Sequence, residues 1–145
     1  MKDIHEYMAE CAEQRFEWGK FDCCTFAAGA IEIATGVDVM RDIRTYKDES
    51  TCAMMLNDTF GTVVVREVFE TLVKPVGGRI IDLSEAKDGD VVCIQWPRAS
   101  VGKGRVDQRC GLGVFYRNKA FACLHPVGIV QVPVTHRIID VWGFR

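Results

Sequence analysis

The sequence predicts an α+β domain in which N-terminal helices pack on a C-terminal antiparallel sheet. Apolar residues recur at helical spacing as far as about residue 75, and short strand-like runs separated by turn residues follow from about residue 79. Helices followed by strands, rather than alternating with them, are typical of this class. The 145 residues can bury one sizeable core. We therefore expect a single domain over 1–145, with a helical half at about 1–75 and a sheet half at about 79–145.

The helical half contains four predicted helices. Asp3 and Glu6 have the spacing of a capping box and open the first helix. Asp22 is a good N-cap for the second helix, which is apolar nearly all the way round and must be central, and Gly36 is a good C-terminal cap. The predicted helices cover residues 3 to about 18, 23–35, 49–57 and 62–73.

The sheet half contains five predicted strands joined by turns. The strand-like runs cover residues 91–96, 111–116, 120–124, 128–133 and 137–142. The segment 97–109 interrupts this regular pattern because it is long, basic and contains glycine. We expect it to form a flexible loop at one mouth of the sheet, and loops of this length are often functional.

Composition excludes several classes of function. The net charge is −2 and the sequence pI is near 5.9, so nucleic acid is not an expected partner. No apolar run is long enough to cross a bilayer and the N-terminus has no apolar signal core, so we expect synthesis in a reducing cytosol and no membrane segment. Seven cysteines without a C-x-x-C pair argue against a disulfide framework and against a zinc site. No metal or cofactor is expected.

Cys23 is the candidate nucleophile. As the first residue of a helix capped by Asp22, it lies where unpaired N–H groups and the helix dipole favour a thiolate. The alternative is that Cys23 and Cys24 are both small apolar fillers of a buried helix.

A thiolate hydrolase also needs a proton carrier, and the sequence has three histidines. His5 belongs to the solvated face of the first helix, and His136 lies in a turn-like segment between two late strands. His125 ends a strand of the sheet half and is therefore the candidate base. The alternative is a strand-end residue that is held by Pro126 and bonded to backbone or solvent.

The order of short motifs resembles a known family. Trp18-Gly19, Asp22-Cys23, Phe26 and Gly36 are followed by 89-GDVVCI-94, by 112-LGVFY-116 and by an aromatic closing strand. This order is similar to the NlpC-type peptidoglycan peptidases, which have a papain-like fold, and most similar to their phage and prophage relatives of unassigned function. The resemblance implies a papain-like domain in which Cys23 is the nucleophile, preceded by Asp22.

One position departs from the family pattern. The family histidine begins a strand that corresponds here to 111–115, so Gly111 takes its place and cannot carry a proton. If 117–119 forms the turn to the next strand, Gly111 lies opposite residue 125, with an uncertainty of one. We therefore predict that His125 leans over Gly111 and replaces the missing base.

Three functions remain open at this point. The resemblance implies a cysteine peptidase or amidase that cuts peptidoglycan stem peptides, located at the phage tail tip with other tail proteins as partners, in the virion tail after synthesis in the bacterial host cytoplasm. The alternative is a domain that has lost its chemistry and serves as a structural tail-tip or assembly component. A third is an acyl-transfer or toxin-type cysteine enzyme. Residues that could line a substrate groove are Gln95, Trp96, Lys103, Arg105 and Arg109.

Overall fold

The computed structural model describes residues 2–97, 99, 101–133 and 137–145. In these ranges the chain forms four α-helices followed by a six-stranded antiparallel sheet, which confirms the predicted α+β class. The helices are α1 (Ile4–Ala12), α2 (Cys23–Thr35), α3 (Glu49–Phe60) and α4 (Val65–Val73). The strands are β1 (Arg79–Ile81), β2 (Val91–Gln95), β3 (Cys110–Tyr116), β4 (Lys119–Leu124), β5 (Gly128–Val132) and β6 (Ile138–Gly143), in the sheet order β1-β6-β2-β3-β4-β5. Short 3-10 helices span Lys74–Val76 and Leu83–Glu85.

Helix α2 is the central helix, as its apolar sequence predicts. Its bounds match the prediction at both ends, with Asp22 as N-cap and Gly36 as C-cap in the left-handed conformation at φ 78°. Asp22 and Thr25 form a reciprocal capping box, which satisfies two backbone donors at the helix start. The helix packs mainly on β3 and also on β4 and β2.

Three helix boundaries were predicted wrongly. α3 ends at Phe60, where Gly61 is the C-cap, and not at residue 57. α1 ends at Ala12, not near residue 18, because the chain then folds into a tight turn in which Glu17 and Phe21 exchange backbone hydrogen bonds of 2.8 Å. α4 begins at Val65, not residue 62, because the preceding residues are extended. Val63 accepts a hydrogen bond from Asp107 N–H, and Val65 N–H donates one to Asp107.

The sheet differs from the prediction at one edge and in one turn. β1 was not predicted, since it has only three residues and is held by its pairing with β6. The β3–β4 turn has two residues rather than three, with Arg117 and Asn118 both at positive φ and Tyr116 paired with Lys119. The last pair of this register is Gly113 with Ala122. If the register continues for two more residues, residue 124, and not residue 125 as predicted, lies opposite Gly111.

The two faces of the sheet bury different clusters. One face packs against the helices, and its cluster joins Cys23 of α2 to Leu112 of β3 and Trp142 of β6. The cluster on the other face includes Val92, Ile94 and other residues from the strands and the Leu83–Glu85 region, and none from α1 to α4 in the described ranges. The first face therefore packs on the helices, and Cys23 at the start of α2 belongs to its cluster.

Candidate active site

Cys23 lies at the start of α2 and its thiol faces a side chain of the long loop. The Cys23 Sγ–H donates to Oε1 of Gln108 at 3.1 Å, and the sulfur of Cys24 is 3.9 Å away. Cys23 is 4% exposed, and the Gln108 amide lies directly against its sulfur. Contact with the Cys23 sulfur, and then burial, raise the pKa of Cys24 well above its usual value. Cys24 is thus an inert filler.

The start of α2 is fixed by the buried carboxylate of Asp22. Its Oδ1 accepts a hydrogen bond from Thr25 N–H, and its Oδ2 accepts from Gly19 N–H at 2.9 Å and from the Tyr46 hydroxyl at 2.7 Å. Burial, and next the nearby Cys24, raise the pKa of Tyr46, so that this hydroxyl stays protonated and donating. The predicted cap is confirmed, and its side chain bonds to backbone and hydroxyl donors rather than to an imidazole.

A groove of about 780 Å³ lies beside Gln108, where strands β2 and β4 end. Aromatic rings form one wall, since Phe16 contacts Trp18 at 5.0 Å between ring centroids and His125 at 5.3 Å. The lining residues are Phe16, Trp18, Glu49, Trp96, Pro97, Ala99, Arg105, Val106, Gln108, Cys123, Leu124, His125 and Arg137. Its size and its mixed apolar and polar lining are typical of a site for a small molecule or a peptide segment.

His125 lies in the groove but is not bonded to Cys23. It follows directly after Leu124, the last residue of β4. Cys123, two positions earlier, packs against the helices, and residues two apart in a strand share a face. His125 is therefore directed to the side of the sheet where Cys23 lies. Its ring packs edge-on against Phe16. Among the described residues, the hydrogen bond of the Cys23 thiol goes to Gln108 instead. The role of His125 as base stays a prediction.

Gly111 does not leave an empty space for His125. A Cβ at position 111 would lie 3.0 Å from Nε1 and 3.1 Å from Cδ1 of Trp96. The indole thus fills the space that a His125 side chain leaning over Gly111 would need. Gly111 also lies on the face of β3 opposite to Leu112, and Leu112 shares a cluster with Cys23. The space at Gly111 is thus occupied by Trp96, and the expectation that His125 leans over Gly111 stays a prediction.

The residue of the candidate site that sequence reasoning missed is Gln108. It lies between Asp107, which bridges to α4, and Arg109, whose guanidinium bonds to both Asp107 carboxylate oxygens. The hydrogen bonds from Arg109 lower the pKa of the Asp107 carboxyl below its usual value. Nothing in the local sequence distinguishes Gln108, because its contact with Cys23 joins residues 85 positions apart.

The expected groove residues are only partly present. Trp96 and Arg105 line the groove, and Arg105 is paired with Glu49 at 3.1 Å. Gln95, Lys103 and Arg109 are not among the described lining residues. Glu49 also accepts from Val106 N–H, so this end of the loop is fixed rather than free. His136 lies outside the described residues.

Four of the other thiols are poor nucleophiles. Burial raises the pKa of Cys11 to about 11 and that of Cys93 to about 12, and it raises the pKa values of Cys52 and Cys123 further.

Across the described ranges, no group of three or more His, Cys, Asp or Glu side chains is arranged to hold a metal ion. No helix in the described part of the chain combines the length and apolarity needed to cross a bilayer.

Comparison with known proteins gives a family and no function. Neither the curated proteins nor the solved structures include a match to the chain. One family model matches residues 1–144, and its description is a domain of unknown function, DUF6950. Since this match covers nearly all of the 145 residues, the chain belongs to the DUF6950 family.

Proposed function

We propose that this protein is an NlpC-like, papain-like cysteine peptidase or amidase that cuts peptidoglycan stem peptides, carried at a phage tail tip for cell-wall penetration. The observation that carries the proposal is the position of the Cys23 thiol. It lies on the first turn of a buried, capped helix, against Gln108 of a groove that also contains the His125 imidazole. The sequence resemblance supplies the substrate and the setting.

The proposed chemistry is acyl transfer to Cys23. Cys23 supplies the nucleophile from the start of α2, and the aromatic wall of Phe16 and Trp18 holds the apolar part of a peptide in the groove. His125 delivers a proton to the leaving amine, which requires its ring to leave Phe16 and approach the sulfur when substrate fills the groove. Water then releases the acyl group from Cys23.

Selective alkylation tests the nucleophile. We expect iodoacetamide near neutral pH to modify Cys23 before Cys24, Cys52, Cys93 and Cys123, whose pKa values are raised, with the sites identified by peptide mass mapping. Cys110 is half-buried and is replaced in a Cys110→Ser background so that it does not compete. Uniformly slow labelling of Cys23 and Cys24 would count against a reactive thiol.

Digestion of purified sacculi tests the activity. We expect wild type to release soluble peptide fragments, Cys23→Ala to release none, and His125→Ala to lose about 10²- to 10⁴-fold in rate. His5→Ala is the matched control, since His5 bonds to Tyr116 outside the groove. Unchanged activity in His125→Ala would exclude that residue from the mechanism. If purified virion tails do not contain this protein, the proposed location is wrong.

A second candidate is a catalytically lapsed domain that serves as a structural tail-tip or tail-assembly component. Two observations favour it. Trp96 fills the space in front of Gly111, and the Cys23 thiol is bonded to an amide rather than to an imidazole. This candidate predicts that wild type and Cys23→Ala are equally inactive on sacculi and equally able to assemble into tails.

A further inference from the structure

We infer that Cys23 and Gln108 form an internal thioester, in which the sulfur is bonded to the side-chain carbonyl carbon of the glutamine and ammonia has been lost. Such a thioester is an acyl donor, and the acceptor that fits it is a primary amine of a partner molecule. The inference goes beyond the proposed function, because the carbonyl group comes from the protein itself rather than from a bound peptide. Both use the same thiol, which the thioester masks until an acceptor opens it.

The two reacting groups are already in contact. The Cys23 thiol donates to Oε1 of Gln108 at 3.1 Å. Because a C=O bond is about 1.2 Å long, the sulfur lies within roughly 4.3 Å of the carbonyl carbon Cδ. Reacting atoms are about 3–3.5 Å apart in a productive arrangement, so a small rotation of either side chain brings the sulfur onto Cδ.

The backbone around Gln108 is fixed on both sides. Val65 N–H at the start of α4 donates to the Asp107 carbonyl at 3.1 Å, and Trp96 N–H donates to the Arg109 carbonyl at 2.6 Å. Two groups that a fold holds together in this way react with effective concentrations of up to about 10⁵–10⁸ M. The chain therefore supplies the proximity that a thiol and a primary amide lack in solution.

The nitrogen of the Gln108 amide is placed to leave as ammonia. Among the described residues no protein group accepts a hydrogen bond from Nε2, and Gln108 lines the groove. Ammonia released here passes into the groove and then into solvent. Its dilution there favours the thioester, which is otherwise less stable than the amide that it replaces.

Burial protects the proposed bond from other reactions. Cys23 is 4% exposed and Gln108 is half-buried. The Cys24 sulfur is 3.9 Å from that of Cys23, but contact with that sulfur and burial raise the pKa of Cys24, so it stays protonated and does not compete for Cδ. An acceptor amine therefore approaches from the groove, on the side where Gln108 is accessible.

Formation of the thioester is an acyl exchange in which one bond forms and one breaks. The Cys23 sulfur bonds to Cδ of Gln108, the Cδ–Nε2 bond breaks, and the thiol proton ends on the nitrogen, so that ammonia leaves. An acceptor amine later bonds to Cδ while the carbon–sulfur bond breaks, and one amine proton returns to the sulfur. The end products are a substituted amide at position 108 and a free Cys23 thiol, and no oxidant or reductant takes part.

Intact mass measures the thioester directly. We expect wild type to be lighter than its sequence by one ammonia molecule and, when unfolded at slightly acidic pH, to react with N-ethylmaleimide at one fewer than its seven cysteines. Cys23→Ala and Gln108→Ala should each have the full mass of their own sequence. The matched controls are Cys24→Ala, which removes the neighbouring thiol, and Gln95→Ala, which removes a glutamine outside the described groove lining, and both should keep the loss.

Methylamine tests the acyl transfer. We expect native wild type to take up one methylamine per chain at position 108 and to gain one reactive thiol at Cys23, whereas Cys23→Ala takes up none. Water opens the same bond to leave glutamate, so glutamate found at position 108 in wild type but not in Cys23→Ala also supports the thioester. A wild-type chain of full mass with its glutamine intact at that position, or a mass loss that persists in Cys23→Ala, overturns it.

The same protein separates this inference from the proposed function. Digestion of sacculi is repeated after methylamine treatment, when Cys23 is a free thiol in any chain that carried the thioester. Cys23-dependent digestion by protein that never loses ammonia overturns the thioester and leaves the proposed function. A thioester in protein that digests no sacculi, before or after methylamine, supports the inference and overturns the proposed function.

Discussion

Asp22 is the residue on which the position of Cys23 depends. Its carboxylate is buried and accepts hydrogen bonds from Thr25, Gly19 and Tyr46, which come from three different parts of the chain. A buried charge is tolerated only when such donors replace water. The same contacts that satisfy Asp22 therefore set the direction in which α2 begins and in which the Cys23 sulfur points.

Removing this carboxylate should cost more than removing one of its donors. We expect Asp22→Ala to lower the free energy of unfolding by about 1 kcal/mol for the lost cap and a further 1–3 kcal/mol for the unpaired Tyr46 hydroxyl. Tyr46→Phe removes one hydrogen bond to a charged group and should cost about 1.5 kcal/mol. Urea denaturation measures both, and an Asp22→Ala cost no greater than that of Tyr46→Phe would contradict this assignment.

Restoring a histidine at position 111 should not by itself restore a base. The new Cβ lies within 3.1 Å of two Trp96 atoms, so we expect Gly111→His to destabilise the fold by about 1–3 kcal/mol and to give no gain in hydrolysis. Trp96→Gly loses packing of its own, but it empties the space, so adding Gly111→His to that background should cost less than in wild type. Thermal unfolding of the single and double variants measures the coupling, and additive effects would show that Trp96 is not the obstacle.

At the scale of elements, α1 and α2 approach closely at a glycine. An added Cβ on Gly29 would overlap the Tyr7 hydroxyl group, which donates to the Phe26 carbonyl at 2.7 Å while the two rings stack at 6.1 Å. A glycine inside a buried helix is thus explained by the packing of one helix on the next rather than by backbone conformation.

Gly29→Ala should consequently have opposite effects in two backgrounds. In wild type we expect a loss of about 1–3 kcal/mol in stability, because the methyl group displaces Tyr7. In a Tyr7→Ala background the overlap is gone, and the higher helix propensity of alanine should stabilise by up to about 1 kcal/mol. A double-mutant cycle by urea denaturation tests this, and equal effects in both backgrounds would contradict it.

The elements that the sequence predicts well are those whose ends have local causes. Both ends of α2 follow from Asp22 and Gly36, which act on neighbouring backbone groups. The start of α4 and strand β1 could not be predicted, because each depends on a distant partner, Asp107 in one case and β6 in the other. Of the candidate site, the position of Cys23 was local and predictable, whereas its contact with Gln108 was not.

At the scale of the whole molecule, the helical and sheet halves share one cluster. Phe69 and Leu56 from the helices pack in the same cluster as Leu112 and Trp142 from the sheet, and each of these residues is almost fully buried. Neither half can keep its apolar surface from water without the other. The two halves that the sequence distinguishes should therefore form one cooperative unit.

Cooperativity can be measured with Trp142 as a probe of the sheet half. In a Trp18→Phe/Trp96→Phe variant, Trp142 is the one remaining tryptophan, and we expect its fluorescence and the helical circular dichroism signal to change at the same urea concentration, as in two-state unfolding. Wild type followed by circular dichroism alone is the control for the two substitutions. A helical signal that persists after the fluorescence has changed would mean that α1 to α4 fold without the sheet. In that case the groove that contains Gln108 and His125 would not be built on a single cooperative unit, and the contact between Cys23 and Gln108, on which the proposed function depends, would lose its support.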